Sequence, residues 1–241
     1  MTAALLPRSV FVQRLLVVDP ASGRTVDAGF ADLPSFLGPG DVLVVNDAAT
    51  LPASLACRIR GLACELRLAG PDGWVVLFGP GSWRDRTEDR AAPPEVGVGE
   101  IVRVAGRDVR VEAVSDVSPR LVRLPLTLEE VLHHGVPVQY SYVPRPLELH
   151  EVQTPYAERP WAVEMPSAGR VLTPRLVASL RAAGVAVERL THAAGLSATG
   201  DPALDAALPL PERYEVPEAT WAAVQGARRV IAVGTSVVRA L

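Results

Sequence analysis

The sequence predicts an α/β domain with a parallel-type sheet, into which an all-β, barrel-like domain is inserted. Strand–helix–strand patterns occur near both ends of the 241-residue chain, and this alternation is typical of parallel sheets. The middle of the chain instead holds short alternating segments separated by glycine, proline and charged turns. We therefore expect a discontinuous α/β domain over residues 1–52 and 151–241, with the β domain over residues 53–150.

The first part of the chain is predicted to form two strands, a short helix and a further strand. Arg14–Val18 is an apolar run followed by a turn, and Phe30–Leu37 is a candidate helix ended by glycine and proline. Asp41–Val45 is continuously apolar after its first residue and rich in valine, which is typical of a strand buried on both faces. Asn46 and Asp47 then place two short polar side chains at the tip of this strand.

The middle part contains six short segments of strand character. They are Ser54–Arg60, Cys64–Leu68, Trp74–Phe78, Ile101–Val104, Val109–Val114 and Leu121–Leu124. Their even spacing predicts a small antiparallel barrel or sandwich. Residues 79–99 are rich in proline, glycine and charge, and we expect them to form a mobile loop.

The last part alternates between helix and strand. Pro174–Ala183 is predicted to be a helix, because Thr173 can cap it and proline suits its first position. The strand Val185–Leu190, the helix Pro217–Gly226 and the strand Arg229–Val233 follow. A turn then leads into a helix that we expect to begin at about Val237.

Composition excludes several classes of function. The formal net charge is −3, so the chain has no bulk attraction for phosphate, although a local basic patch remains compatible with it. All 24 basic residues are arginine, which excludes a lysine Schiff base or lysine general base. Cys57 and Cys64 are too few for a disulfide scaffold or a four-ligand zinc site, and no histidine pair has metal spacing. We expect no metal.

The beginning of the chain carries no targeting signal. The stretch MTAALLPRSVFV lacks a charged start, a long apolar centre and a cleavage pattern, and no apolar run reaches 18 residues. We therefore expect a cytoplasmic protein without a membrane-spanning segment. No pattern in the sequence predicts an oligomeric state.

Three turns after predicted strands or beside helices carry candidate site residues. Gly234, Thr235 and Ser236 follow a buried strand and open a helix, where ligands bind in open α/β sheets; the alternative is a plain capped turn. The stretch 164–169 ends in small residues that let a ligand approach the backbone, and its alternative is a surface loop. His192 lies at a strand end, where it is either an acid–base group or a structural anchor.

At these residues the chain becomes similar to a known family. The matching motifs run in order along nearly the whole sequence: Arg14–Asp19, Phe30–Pro34, Gly40–Asp47, Pro52-Ala53, Gln153–Ala157, Pro166–Gly169 with Leu172-Thr173, Tyr214–Pro217 and Val230–Ser236 with Val238–Leu241. This ordered set resembles the S-adenosylmethionine:tRNA ribosyltransferase-isomerases of queuosine biosynthesis (the QueA family). The resemblance implies an α/β domain with an inserted β-barrel, in agreement with the pattern above.

The resemblance also implies a chemistry. Such enzymes move the ribosyl part of S-adenosylmethionine, as substrate, onto the aminomethyl group of a 7-deazaguanine in tRNA. They isomerise it to an epoxycyclopentane while adenine and methionine leave, and they require no metal. The sulfonium acidifies the adjacent 5′ carbon, so the site needs a base and a water-poor pocket. Glu212, His192 and Asp47 are the candidate bases. The expected substrate-binding residues are Asn46, Tyr156, Pro166, Ser167, Ala168, Gly169, Thr173, Gly234, Thr235, Ser236 and Arg239, with Arg239 as an anion partner.

Several departures from the family pattern fall on polar positions. Two family arginines are replaced in Asn46–Ala49 and at Ser54, and a Pro-Pro-Tyr-Ile motif becomes Tyr140–Val143. The family's His-x-x-His-x-Glu becomes 207–212, which keeps only Glu212. The family's Asn-Phe-His-Leu-Pro segment would come after Leu241. Since apolar scaffold positions persist, this pattern is typical of a retained fold with a changed site.

Three hypotheses follow for the function. The first is the family reaction on tRNA, with tRNA as a partner whose binding the acidic net charge and the lost arginines weaken. The second is a divergent homologue that binds S-adenosylmethionine and uses a different, smaller acceptor. The third is a non-catalytic family member.

Overall fold

A computed structural model describes residues 12–70 and 72–241 of the protein. Nearly all of the opening stretch, for which the sequence predicts no signal peptide, lies outside these residues. The strands are β1 (Arg14–Val18), β2 (Thr25–Gly29), β3 (Asp41–Asn46), β4 (Ala48–Thr50), β5 (Ser54–Ile59), β6 (Leu62–Leu68), β7 (Trp74–Phe78), β8 (Ile101–Val104), β9 (Arg107–Arg110), β10 (Ala113–Val114), β11 (Leu121–Arg123), β12 (Arg159–Ala162), β13 (Ala186–His192), β14 (Tyr214–Glu215) and β15 (Arg229–Ala232). The helices are α1 (Leu128–His134), α2 (Pro174–Ala182), α3 (Pro202–Ala207), α4 (Glu218–Gly226) and α5 (Thr235–Ala240).

A four-stranded mixed sheet joins the two ends of the described chain in the order β14-β13-β3-β15. Strand β3 is parallel to both β13 and β15, while β14 is antiparallel to β13. All six residues of β3 are buried, which confirms the strand predicted there. Leu43 and Val45 pack toward α2 on one face, and Val42 and Val44 pack toward α4 and α5 on the other. Helices on both faces are what a buried parallel strand requires.

The middle of the chain forms a seven-stranded antiparallel sheet in the order β10-β11-β7-β6-β5-β8-β9. One face of nearly every strand contributes to a single core that includes Ile59, Leu66, Leu77, Val102 and Val122, so the sheet curls around its own side chains. The edge strands β9 and β10 are not paired with each other in the described residues, so the sheet is open and not a closed barrel. The predicted boundaries at residues 52/53 and 150/151 stay a prediction.

Three local predictions are corrected by the structure. The helix predicted over Phe30–Leu37 is a 3₁₀ helix over Phe30–Phe36, since Pro34 has no amide hydrogen for an α-helical bond. The strand predicted over Val109–Val114 is split, because the chain leaves β8 after β9 and pairs with β11 through β10. The last helix begins at Thr235, two residues before Val237, since Gly234 turns the chain at φ +87°.

The predicted mobile loop over 79–99 is fixed to the sheet at two points. Arg90 donates hydrogen bonds to Glu65 and, at 2.6 Å, to the carbonyl of Gly79, and its side chain is almost completely buried. Val96 belongs to the core of the seven-stranded sheet. The segment lacks strands, as expected from its composition, yet it is not a free surface loop.

Arg90 belongs to a buried charge network around Phe78. Glu65 accepts from Arg67 at 2.6 Å, from Arg90 and from the Ser54 hydroxyl at 2.8 Å. The Arg67 and Arg90 guanidinium groups lie 4.4 and 5.5 Å from the centroid of the fully buried Phe78 ring. Burial alone would raise the pKa of the Glu65 carboxyl, but the two arginines outweigh it and the pKa is lowered. One carboxylate therefore compensates two buried cations.

A second ion cluster makes the stability of the parallel sheet sensitive to acid. The Asp41 carboxylate accepts from Arg229 at 2.6 Å, from Arg228 at 2.8 Å and from the amide of Gly38 at 3.0 Å. The Arg229 hydrogen bond outweighs desolvation and lowers the pKa of Asp41 from 3.8 to about 2. A carboxyl whose pKa is lowered by folding stabilises the fold above its unfolded pKa, and this contribution is lost as pH falls through the folded value.

We therefore expect Asp41→Asn to lower the urea midpoint at pH 7 and to have a much smaller effect at pH 2. The reason is that protonation removes from the wild type the same ion pairs that the variant lacks. Urea unfolding of both proteins at the two pH values checks this expectation. If Asp41→Asn lowered the urea midpoint by the same amount at both pH values, the ion pairs of Asp41 with Arg228 and Arg229 would not contribute to the stability of the fold.

Candidate active site

The carboxyl ends of three parallel strands bring the predicted site segments together. Strand β3 ends at Asn46, β13 ends at His192, and β15 leads through Val233 to Gly234. In open α/β sheets this edge is where ligands bind. Residues that are 146 and 190 positions apart in the sequence thereby come into contact.

Asn46 ties these strand ends together. Its amide nitrogen donates to the carbonyl of His192 at 2.9 Å and to the Ser236 hydroxyl at 3.2 Å. Its amide oxygen accepts from the backbone N–H groups of His192 and Ala48, both at 3.0 Å. The side chain is buried and makes all four of the hydrogen bonds that an amide can make. Asn46, predicted as a substrate-binding residue, thus holds the ends of β3 and β13 and the start of α5 together.

Asn46→Ala is expected to lower the free energy of unfolding by about 3 kcal/mol, because buried backbone groups of His192 and Ala48 lose their partners. For a chain of this size that corresponds to a melting temperature lower by roughly 6–12 °C. Thermal unfolding measures the effect, with Ser35→Ala as the control, since Ser35 is exposed and makes one local hydrogen bond to Asp32. If Asn46→Ala melted at the same temperature as Ser35→Ala, the hydrogen bonds of the Asn46 side chain would not stabilise the fold as expected.

Glu212 is the centre of a second hydrogen-bond cluster at this edge. Its Oε1 accepts from the amide of Gly195 at 2.8 Å. Its Oε2 accepts from Arg239 Nη2 at 2.8 Å and lies 3.3 Å from His192 Nε2. The structure therefore brings together Glu212, His192 and Arg239, three residues that the sequence analysis selected. It gives Arg239 a carboxylate partner within the protein.

His192 is held in its neutral form. Burial lowers its pKa and Arg239 adds to this, although the Glu212 carboxylate acts in the opposite direction. In a neutral ring next to a carboxylate, Nε2 carries the hydrogen and Nδ1 keeps a free lone pair. That Nδ1 is buried and has no hydrogen-bond partner in the described part of the chain. His192 thus donates from Nε2 toward the Glu212 carboxylate and orients it.

Glu212 and Arg239 line a cavity of about 360 Å³, which we call the strand-end cavity. Its wall also contains the predicted residues Pro166, Ser167, Ala168, Gly234, Thr235 and Ser236. A Cβ atom added to Gly234 would lie 3.0 Å from the Cβ of Ala168, closer than ordinary van der Waals contact, so the two predicted turns lie against each other with no room for a larger residue at Gly234. The volume lies within the range of small-molecule sites.

The remaining predicted residues lie elsewhere. Asp47 is buried and accepts from the Thr191 hydroxyl at 2.6 Å, and desolvation raises its pKa. Tyr156 lines a separate cavity of about 470 Å³, and its hydroxyl occupies the space that a side chain on Gly169 would need. Thr173 caps α2 by accepting from the amide of Leu176 at 3.2 Å, as its sequence context predicts. The structure does not bring these four residues to the strand-end cavity.

The cavity wall contains one acidic residue, Glu164, that begins the candidate stretch 164–169 but was not among the predicted site residues. Its Oε1 accepts from the amide and the hydroxyl of Ser197, both at 3.1 Å. Burial raises its pKa, and the Ser197 hydrogen bonds only partly offset this. The available signal was its position two residues before Pro166, where a carboxyl group adjoins a turn of small residues.

Neither a metal cluster nor a membrane span is found among residues 12–70 and 72–241. No group of three or more histidine, cysteine, aspartate or glutamate side chains there is arranged to hold a metal ion. No helix in the same ranges is long and apolar enough to cross a membrane. Cys57 and Cys64 face each other across β5 and β6 as buried free thiols.

The fold and the site define a protein with a mixed, helix-covered sheet, beside a curled antiparallel sheet. The strand ends of the mixed sheet carry a cavity of small-molecule size with charged residues in its wall. A family model described as queuosine biosynthesis protein matches residues 7–241. The chain belongs to this family.

Curated relatives share about a third of the residues. Each of the following three is named S-adenosylmethionine:tRNA ribosyltransferase-isomerase. The protein of Thermus thermophilus is 37% identical over 231 residues, which cover 87% of this chain and 63% of the relative. That of Rubrobacter xylanophilus is 36% identical, covering 95% and 67%, and that of Anaeromyxobacter dehalogenans is 34% identical, covering 99% and 71%.

The chain thus spans less than two thirds of the length of the Thermus relative. Among solved structures, an S-adenosylmethionine tRNA ribosyltransferase of Thermotoga maritima is similar with a TM-score of 0.42 at 20% identity. The match covers 99% of this chain and 67% of that one.

Proposed function

We propose that this protein is an S-adenosylmethionine:tRNA ribosyltransferase-isomerase. It would transfer the ribosyl part of S-adenosylmethionine to a 7-aminomethyl-7-deazaguanine base in tRNA and release adenine and methionine. The reaction would take place in the cytoplasm. The observation that carries the proposal is the strand-end cavity, in which Glu212, held by His192 and Arg239, faces two turns that the family resemblance marks. Relatives at 34–37% identity that bear this enzyme name support it.

The charges around the cavity suit S-adenosylmethionine. This molecule carries a sulfonium, an ammonium and a carboxylate, and hence one net positive charge. The cavity wall holds two carboxyl groups, Glu164 and Glu212, and one guanidinium, Arg239. With both carboxyls ionised, the wall carries one net negative charge, which complements the ligand. Arg239 uses one of its five N–H groups on Glu212, so the others remain for the substrate carboxylate.

Glu212 is the proton acceptor in this proposal, and His192 and Arg239 are its positioning residues. Three N–H groups fix the orientation of its carboxylate, and one lone pair of Oε1 is left unused by these contacts. His192 contacts the carboxylate and does not line the cavity, so it would act through Glu212. Asp47, the third candidate base, lies away from this cavity, which favours Glu212 over it.

A divergent homologue with a smaller acceptor is the second candidate function. Where the family pattern has threonine and arginine, this chain has Ala48 and Ala49, and both are part of β4 in the sheet with β12. Unlike arginine, the alanine side chains at these positions cannot form an ion pair with a phosphate of tRNA. The same cavity would then bind S-adenosylmethionine without a tRNA site next to it.

Isothermal titration with S-adenosylmethionine, combined with an assay of released adenine with and without unmodified and base-modified tRNA, separates these functions. Binding together with adenine release that depends on the modified tRNA is the expected result. Binding with adenine release that is independent of tRNA would favour the smaller acceptor. Absence of S-adenosylmethionine binding would contradict both and leave a non-catalytic family member.

A further inference from the structure

A second cavity adjoins the strand-end cavity and shares part of its wall. It has a volume of about 540 Å³, and Tyr140, Tyr142 and Arg170 line it. Glu164, Met165 and Ser167 line both cavities. We call it the tyrosine cavity. Two ligands bound in the two cavities would meet at this common wall.

The tyrosine cavity has an aromatic wall. The rings of Tyr140 and Tyr142 are stacked, with centroids 5.5 Å apart and an interplanar angle of 28°. Tyr142 is half exposed, whereas the surroundings of Tyr140 are buried enough to raise the pKa of its phenol. An aromatic ring that is stacked on a neighbouring ring and half exposed is a surface on which a flat ligand ring can stack.

The carboxyl group of Glu164 gives this cavity a directional acceptor. Its Oε1 is occupied by the amide and hydroxyl of Ser197. Glu164 and Tyr140 both line this cavity, and Tyr140 is one of the groups that lower the pKa of the Glu164 carboxyl against the effect of burial, so this carboxyl adjoins the aromatic wall. The other oxygen, Oε2, is therefore the acceptor for the edge of a heterocycle; a guanine-type ring offers two adjacent N–H donors at such an edge, and adenine does not.

We infer that the tyrosine cavity binds the acceptor base, a guanine-type 7-deazapurine that stacks on Tyr142 and donates to Glu164. This inference rests on the proposed function and assigns the second substrate of the same reaction. S-adenosylmethionine would then occupy the strand-end cavity and the base the tyrosine cavity, with Glu164 between them. Tyr140 stands where the family pattern has proline, so the aromatic pair is a feature of this chain.

Binding of the free base tests the inference independently of turnover. Equilibrium dialysis of 7-aminomethyl-7-deazaguanine against the whole protein is expected to show saturable binding, with adenine bound at least tenfold more weakly. Tyr142→Leu should weaken binding of the base about tenfold, in the range found for loss of a stacking partner. Because Tyr142 is half exposed and lines only the tyrosine cavity, affinity for S-adenosylmethionine should stay within twofold.

Two further variants sharpen the test. Tyr214→Leu is the matched control, since Tyr214 is exposed and lines neither cavity, and it should bind the base like the wild type. Glu164→Gln should reduce the preference for the guanine-type base over adenine, because an amide replaces one acceptor by a donor.

Different results would contradict the inference and the proposed function. Lack of binding of the base to the wild type, or equal binding by Tyr142→Leu and Tyr214→Leu, would overturn the inference. Absence of tRNA-dependent adenine release by the wild type would instead overturn the proposed function. Each result is read from its own measurement.

Discussion

Glu212→Gln is expected to lower the rate of adenine release by about 10²–10⁴-fold, the usual contribution of a positioned general base. The amide has nearly the shape of the carboxylate, and its oxygen can still accept from Gly195 or Arg239. What it lacks is the ability to take up a proton. The effect should therefore fall on kcat more than on the affinity for S-adenosylmethionine, which single-turnover kinetics and titration measure separately.

Glu218→Gln is the matched control for this prediction. Glu218 is exposed at the start of α4, and its substitution should leave the rate unchanged. His192→Gln separates positioning from proton transfer, because it keeps a donor near Glu212 and should lower kcat less than Glu212→Gln does. A Glu212→Gln protein with the wild-type rate would remove Glu212 from the role of proton acceptor.

Glu65→Ala is expected to cause the largest loss of stability in the molecule. Removing one partner of a buried ion pair leaves the other charge uncompensated, and the typical loss is about 3–5 kcal/mol. Here two guanidinium groups, those of Arg67 and Arg90, would lose the same carboxylate, and their side chains are 6% and 2% exposed. In a chain of this length the melting temperature should fall by roughly 6–20 °C.

Glu112→Ala is the control in the same sheet. Its carboxylate pairs with Arg123 at 3.1 Å, but both side chains are more than two-fifths exposed, so the change should be within about 1 kcal/mol. Urea unfolding at pH 7 compares the variants. If Glu65→Ala and Glu112→Ala lost the same free energy of unfolding, burial would not determine how much the Arg67–Glu65–Arg90 network contributes to stability.

The periodic, apolar parts of the fold could be predicted from the sequence. Strand β7 and strand β8 have the predicted bounds, and the buried strand β3 and the capped helix α2 were recognised from valine runs and from Thr173. These features follow from local preferences that neighbouring residues share. Prediction failed at the split between β9 and β10, because one continuous run of strand character pairs with two different neighbours, β8 before it and β11 after it.

The candidate site was predictable in part for the same reason. Gly234, His192 and the stretch 166–169 were found because they follow strands or consist of small residues. The direction of a polar side chain depends on which face of a strand it occupies. Asn46 therefore points to Ser236, whereas its neighbour Asp47 points to Thr191. Glu164 lies in the candidate stretch 164–169, but it was not selected as a site residue because its raised pKa depends on burial by segments far away in the sequence.

The pairing of β3 has a consequence for synthesis of the protein on the ribosome. Both neighbours of β3 come from the last third of the sequence, and Asn46 can bond to His192 only after 146 more residues have been synthesised. At translation rates of 5–20 residues per second, this delay is roughly 7–30 s. During that time the growing chain presents an apolar strand with two unpaired edges, a form that invites aggregation. Nascent chains should therefore depend on chaperones until β13 emerges, even though the seven-stranded sheet has all its strands long before.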